Sequence, residues 1–194
     1  STFNCIRFLN NPSGKKEILN SIFSGVFLGL AVLTKGPAAL IIMFLTVFLL
    51  TIWDKNYPIL RSQNFILFLI STVFISSSWF ILEWISGNKN VVIEFITYQI
   101  RLFNTGDSGH DGSFFYHFIV LLIGCFPSSI LFLMSYFKFQ NLSPYQRQFR
   151  KIFICLFWAV LVLFSVVKTK IIHYSSLCYY PLTFVATIGI VNYF

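Results

Sequence analysis

The sequence predicts an all-α membrane protein, built as a bundle of about six transmembrane helices. Of its residues, 57% are hydrophobic and only 10% are charged, and phenylalanine alone occurs 25 times. That much apolar surface exceeds what a soluble domain of this length needs. The apolar runs are continuous and lack a period of two, so we interpret them as spanning helices and not as strands of a barrel.

Six segments have the composition and approximate length of a transmembrane helix. A helix needs about 20 residues to cross roughly 30 Å of hydrocarbon. The second and fifth segments are short and would need a thinned bilayer or flanking anchors. Pro127 and Pro181 are expected to kink the fourth and sixth. In order, the segments are Ile18–Thr34, Pro37–Trp53, Asn64–Ile85, Phe114–Phe137, Ile152–Val167 and Tyr174–Phe194.

The distribution of basic residues predicts the orientation of these spans. The N-terminal segment and the loops after the second and fourth spans are the more basic, so the positive-inside rule makes them cytoplasmic. The inner basic residues are Arg7, Lys15, Lys16, Lys55, Arg61, Lys138, Arg147, Arg150 and Lys151. The outer basic residues are Lys35, Lys89, Arg101, Lys168 and Lys170.

Composition also limits the partners of the chain. The formal net charge is +8. The basic residues on the inner side are explained by the positive-inside rule and by attraction to anionic lipids. We find no nucleic-acid motif, so we expect no nucleic-acid partner. We expect a single transmembrane domain over residues 1–194 that is an internal part of a longer protein, because no signal peptide opens the chain and an apolar run ends it.

Four of the outer cations adjoin apolar sequence directly: Lys35, Arg101, Lys168 and Lys170. A charge at that depth is costly and usually marks a site. Lys35 stands where Gly36 ends one helix and Pro37 opens the next, which predicts a tight hairpin at the membrane surface. We interpret Lys35 as a phosphate-binding cation, and the alternative is a lysine that anchors the hairpin by snorkelling.

The loop between the third and fourth spans contains a second candidate site. Its apolar residues recur at helical spacing over Val91–Phe103, which predicts an amphipathic helix on the outer face. Arg101 falls near the end of this helix, and its planar fork suits a bidentate phosphate. The flexible polar stretch that follows is typical of a substrate-facing loop. His110 there, with Asp107 or Asp111, could bind a divalent metal, but we assign no metal ligand.

A third cluster lies where the fifth span ends. Lys170, His173 and Tyr174 have the spacing of one helical face, and Lys168 precedes them. Interfacial anchoring is the alternative, but two lysines, a histidine and a tyrosine exceed what anchoring needs. His117, inside the fourth span, is interpreted as a hydrogen-bonded core residue more readily than as a ligand.

Cations on one membrane face fit three classes of protein. One is an enzyme that acts on a lipid phosphate, another is a transporter or flippase for an anionic lipid or solute, and the third is a non-catalytic scaffold. A transporter should place polar residues near the middle of the membrane. The polar residues within these spans are mainly Ser and Thr, such as Ser76–Ser78, which fit helix packing. The sequence therefore favours transfer over transport.

Four motifs follow one another along the chain: Gly29–Pro37, Tyr98–His110, Phe126–Ser128 and Ser165–Tyr174 with Tyr180-Pro181. The first is similar to G-L-A-x-L-T-K-G-P, and the last is similar to S-x-x-K-T-K-L-x-H-Y followed by Y-P. In this order they resemble the GT-C glycosyltransferases, in the branch of bacterial family-39, protein-O-mannosyltransferase-like enzymes and the aminoarabinose transferases of lipid A.

The resemblance implies a GT-C-type helical bundle in the bacterial cytoplasmic membrane. It implies transfer of a sugar from a polyprenyl-phosphate donor to a lipid, glycan or protein acceptor on the outer face. The catalytic Asp of the family is expected upstream of Ser1. Aminoarabinose transferases carry a metal-binding His three residues before the loop Arg, where this chain has Tyr98.

The implied chemistry needs fixed positive charge, because the leaving polyprenyl phosphate gains negative charge at the interface. The sequence offers Lys35, Arg101, Lys168 and Lys170 for that role. His173 and Tyr174 would add hydrogen bonds, and His110 completes the predicted substrate-binding set.

Overall fold

The computed structural model describes residues 15–54, 64–104, 113–137, 142–167 and 170–193. All regular elements within these ranges are helical, which confirms the predicted all-α class. The helices are α1 Lys15–Lys35, α2 Ala38–Trp53, α3 Asn64–Ile85, α4 Lys89–Asn104, α5 Tyr116–Gly124, α6 Ser128–Phe137, α7 Pro144–Val166, a 3₁₀ helix Ile172–Cys178 and α8 Tyr179–Tyr193.

The described residues contain four or five candidate spans, where the sequence predicted about six. Helix α2 has 16 residues and extends only about 24 Å. Helices α5 and α6 count as one span only if they cross the membrane as a bent pair, with 108° between them. The four segments long and apolar enough by themselves are Glu17–Lys35, Asn64–Ile85, Pro144–Val166 and Ile172–Val191.

The described chain divides into two compact units. The first contains Ser1–Ile41 and Asp54–Gln99, and the second contains Ile42–Trp53 and Ile100–Phe194. The prediction of a single domain stays a prediction, and the two units are described separately.

Glycine allows α1 and α3 to pack closely in the first unit. A Cβ added at Gly29 would lie 2.7 Å from Cβ of Ile75 and 3.0 Å from the carbonyl oxygen of Thr72. One at Gly25 would collide with Oγ of Ser71. Glycines four residues apart let two membrane helices approach without side chains between them. The G-x-x-x-G spacing of α1 therefore specifies its contact with α3.

The amphipathic helix predicted over Val91–Phe103 is confirmed as α4. Its Phe95 ring packs edge-on against two rings of α3, at 5.7 Å from Trp79 and 5.6 Å from Phe80. Val92 of α4 is buried, whereas Ile93 and Ile96 are exposed. Helix α4 therefore meets α3 through the ring of Phe95, among other contacts, and leaves Ile93 and Ile96 uncovered.

Helix α7 forms the core of the second unit. Its residues Ile154, Val160 and Leu161 are almost completely buried. Helix α8 packs against both α6 and α7, and α5 and the 3₁₀ helix also contact α7. Gly189 brings α8 close to α6, because a Cβ there would collide with Oγ of Ser135.

The predicted kink at Pro127 is confirmed as a complete break between α5 and α6. Ser129 bridges it by donating a hydrogen bond of 2.7 Å from Oγ to the carbonyl oxygen of Leu122. The kink expected at Pro181 is wrong. Helix α8 begins at Tyr179, so Pro181 lies in its first turn, where the missing N–H would have no partner within the helix.

Candidate functional site

Lys35 lies in the last turn of α1 and is exposed. Gly36 ends the helix with φ of 68°, and its N–H donates a hydrogen bond of 2.8 Å to the carbonyl oxygen of Val32. Glycine adopts this left-handed conformation without strain. The turn therefore presents Lys35 at a helix end, where a cation also interacts favourably with the helix dipole.

The turn at Gly36 packs against the side chain of Gln99. A Cβ added at Gly36 would lie 3.1 Å from the amide atoms of Gln99. Gln99 is the residue two before Arg101 in α4. Arg101 is exposed in the last turn of that helix, as its position near the predicted helix end suggested.

Lys170 is bonded to the end of α7. Only 5% of the residue is exposed. Its Nζ donates hydrogen bonds of 2.7 Å to the carbonyl oxygens of Ser165 and Val167, and one of 3.2 Å to that of Phe164. An ammonium group has three donors, so the helix carbonyls occupy them all. Burial lowers the pKa of Lys170.

His173 and Tyr174 lie in the 3₁₀ helix that follows Lys170. His173 is exposed and Tyr174 is half-buried, and their rings are 4.9 Å apart. The prediction that Lys170 shares a helical face with them is wrong. The 3₁₀ helix begins at Ile172, and its N-cap residue Ile171 has an extended backbone. Lys170 therefore precedes the helix and turns back toward α7.

His117 is completely buried, and neither of its ring nitrogens has a hydrogen-bond partner among the residues that the structure describes. This differs from the hydrogen-bonded core residue expected from the sequence. Its ring lies 6.4 Å from that of Phe164, whose carbonyl oxygen accepts a hydrogen bond from Lys170. His117 is thus a neighbour of the Lys170 cluster that the sequence did not place there.

Three predicted features fall in segments that the structure leaves undescribed. Lys168 and His110 are among them, as are Asp107 and Asp111, the proposed partners of His110 in a metal site. Within the described ranges, no group of three or more His, Cys, Asp or Glu residues is placed to hold a metal. The roles of Lys168 and His110 stay predictions.

Arg150 is a buried cation that sequence reasoning assigned to an ordinary inner loop. It is only 7% exposed, and its Nη2 donates a hydrogen bond of 2.9 Å to the carbonyl oxygen of Tyr136, at the end of α6. Arg150 and Lys170 thus both bond the carboxyl end of a preceding helix. Lys170 follows α7 closely in the chain, but that signal does not separate it from an anchoring residue.

Comparison with known proteins gives two kinds of match. The family model described as dolichyl-phosphate-mannose-protein mannosyltransferase matches residues 1–86. An undecaprenyl phosphate-alpha-4-amino-4-deoxy-L-arabinose arabinosyl transferase of Wigglesworthia glossinidia brevipalpis is 30% identical over 176 residues, which cover 87% of this chain and 30% of that protein. No solved structure gives a significant match.

A second relative is similar over nearly the same extent. The undecaprenyl phosphate-alpha-4-amino-4-deoxy-L-arabinose arabinosyl transferase 2 of Proteus mirabilis is 26% identical over 175 residues, covering 88% of this chain and 30% of that protein. The chain thus spans under a third of the length of the two curated relatives that it matches. Together these matches confirm the resemblance of this chain to the GT-C membrane glycosyltransferases, which its four motifs predicted.

Proposed function

We propose that this chain is part of a glycosyltransferase that moves a sugar from a polyprenyl-phosphate donor to a lipid, glycan or protein acceptor. The reaction would take place at the outer face of a bacterial cytoplasmic membrane. The observation that carries the proposal is the similarity of nearly the whole chain to two undecaprenyl phosphate-dependent sugar transferases.

The reaction requires positive charge beside the leaving group. The bond between the anomeric carbon and the phosphate oxygen breaks, and its electron pair stays on the phosphate. The oxygen of the acceptor hydroxyl forms the new bond, and its proton passes to a base. The resemblance implies an Asp for that base. Cations that contact the phosphate more strongly as charge develops lower the barrier.

The exposed side chains supply groups of the right chemistry. We propose Lys35 and Arg101 as phosphate ligands, each at the end of its helix, and His173 and Tyr174 as hydrogen-bond donors. Lys168 and His110 keep the same assignment from the sequence alone. A charge-assisted hydrogen bond to phosphate contributes about 1.5–3 kcal/mol, so one lost contact should be measurable.

The proposal is tested by turnover in the full-length protein reconstituted in lipid vesicles. Undecaprenyl-phosphate-linked mannose and aminoarabinose would be supplied separately, because the description of the matching family model names mannose and the names of the two relatives give aminoarabinose. Release of undecaprenyl phosphate is the readout. We expect release with one of the donors, and a strong loss in Lys35→Ala but not in Lys89→Ala. Equal turnover in the two variants would refute the role of Lys35, and no turnover with any linked sugar would refute the proposal.

A further inference from the structure

The hydrogen-bond donors of the Lys170 ammonium group are already used within the protein. The three hydrogens of this group are accepted by the carbonyl oxygens of Phe164 and Ser165 in the last turn of α7 and by that of the C-cap residue Val167, at 3.2, 2.7 and 2.7 Å. These carbonyls have no partner within α7, because the last four of any helix lack one. The cation satisfies them and opposes the negative end of the helix dipole. Lys170 therefore fixes the last turn of α7.

Phe164 connects this last turn to Tyr174. Its carbonyl oxygen accepts from Lys170, while its ring lies 5.2 Å from the ring of Tyr174, with 32° between the planes. The N–H of Tyr174 donates a hydrogen bond of 3.0 Å to the carbonyl oxygen of Ile171, the residue after Lys170. Tyr174 is thus held by Phe164, whose carbonyl oxygen Lys170 contacts, and by Ile171, the residue that follows Lys170.

We propose that Lys170 is a positioning residue, which sets the place of the Tyr174 hydroxyl and does not itself bind the donor phosphate. This inference rests on the proposed function, because it assigns Tyr174 as the group that meets the substrate. It assigns different roles to the two lysines of the K-T-K motif. Lys168 would contact the phosphate directly, whereas Lys170 would hold the protein groups around Tyr174 in place.

A phosphate contact by Lys170 would carry a cost that an exposed lysine such as Lys35 does not face. The side chain would have to leave at least one carbonyl oxygen unpaired in a buried setting, and an unsatisfied buried group is strongly unfavourable. Lys35 is exposed, so a ligand can reach it without uncovering a buried group. Only 5% of Lys170 is exposed. Its side chain would therefore also have to move out of the protein interior before a ligand could reach it.

A double-mutant cycle tests the inference in the full-length enzyme. Lys170→Met keeps the length of the side chain but removes its donors, and Tyr174→Phe keeps the ring packing but removes the hydroxyl. Each single variant should lower kcat/KM by about ten- to a hundredfold. If Lys170 acts through Tyr174, adding Lys170→Met to Tyr174→Phe should cost less than about twofold more. Additive losses would overturn the inference.

Chemical labelling of the wild-type enzyme provides a test that does not depend on a variant folding. An amine-reactive reagent is applied with and without undecaprenyl phosphate, and the modified lysines are found by mass spectrometry. We expect Lys170 to stay unlabelled in both conditions, and Lys89, which is exposed, to be labelled in both. Labelling of Lys89 shows that the reagent reaches exposed lysines, so protection of Lys170 reports its burial.

Two results separate failure of this inference from failure of the proposed function. Labelling of Lys170 in the free enzyme, with protection by undecaprenyl phosphate, would identify it as a direct phosphate ligand and overturn the inference alone. Absence of turnover with any linked sugar by the wild-type enzyme would overturn both proposals.

Discussion

The ring of Tyr174 packs against the ring of Phe164, with 5.2 Å between their centroids. Phe164 lies in the last full turn of α7 and Tyr174 in the 3₁₀ helix, so this contact fixes the second element relative to the first. A hydroxyl on a ring held in this way is pre-organised for a ligand, which lowers the entropic cost of binding. The ring of Tyr174 therefore has a packing role that can be tested separately from the proposed role of its hydroxyl in binding a ligand.

Tyr174→Phe should lower turnover about tenfold with little change in thermal stability, because the ring contact with Phe164 remains while the hydroxyl proposed to meet the substrate is lost. Tyr174→Ala should lower both. Turnover and melting temperature of the purified full-length protein provide the test. Tyr145→Phe, at the exposed start of α7, is the matched control. A loss of stability in Tyr174→Phe equal to that in Tyr174→Ala would mean that the hydroxyl is structural.

Arg101→Ala should lower turnover about ten- to a hundredfold, since a contact worth about 1.5–3 kcal/mol is lost. Arg101→Lys should recover only part of this, because lysine lacks the planar fork. Lys89→Ala is the control. Lys89 lies over the ring of Trp84, at 4.8 Å from the centroid, and is exposed. Equal activity of Arg101→Ala and Lys89→Ala would reduce Arg101 to a membrane anchor.

Gly29→Ala should destabilise the protein by about 1–3 kcal/mol, because the new methyl group would overpack the contact with Ile75. Gly124→Ala is the matched control, since a Cβ there would meet nothing within 4 Å, and alanine is the better helix former. Thermal unfolding of both variants in detergent measures the difference. A melting temperature of Gly29→Ala at or above that of Gly124→Ala would argue against close packing of α1 on α3.

His117→Leu should leave the stability unchanged or raise it. An unsatisfied buried polar group costs about 1–3 kcal/mol, and leucine removes that cost while it still fills the site. Leu121→Ala, one turn further along α5 and equally buried, should instead lower stability by about 2–5 kcal/mol. A strong fall in melting temperature for His117→Leu would show that the imidazole has a partner in the working protein.

Single-cysteine labelling tests the predicted topology in a cysteine-free background. Positions 35, 108 and 169 should be labelled from outside and positions 56 and 143 only from inside, because of the positive-inside rule. The 108° bend between α5 and α6 gives this experiment a second use. Outside labelling at both position 108 and position 143 would show that the bent pair re-enters and does not cross.

The sequence predicted the helices well because continuous apolar runs and an amphipathic pattern depend only on local composition. Helix α4, for example, covers Lys89–Asn104, close to the predicted Val91–Phe103. The number of spans was less predictable. Whether α5 and α6 form one span depends on how far the chain bends at Pro127. Local composition predicts that the chain bends there, but it does not predict the angle.

The candidate site was predictable in part. Lys35 and Arg101 are exposed at helix ends, as expected, because the Gly36-Pro37 turn and the helix end at Arg101 are local features. The bonds of Lys170 could not be foreseen, since they arise where the chain reverses between Val167 and Ile172. The sequence predicts that a cation lies near a membrane face. It does not predict whether carbonyl oxygens or a ligand will accept hydrogen bonds from that cation.

The most direct test of the account is the binding of undecaprenyl phosphate, compared with undecaprenol, to the full-length protein. The two lipids share the chain and differ in the phosphate, so the ratio of their dissociation constants isolates the phosphate contacts. We predict that the wild-type protein binds the phosphate form at least about tenfold more tightly, and that Arg101→Ala loses most of this preference. Equal affinity of the wild-type protein for the two lipids would contradict the account.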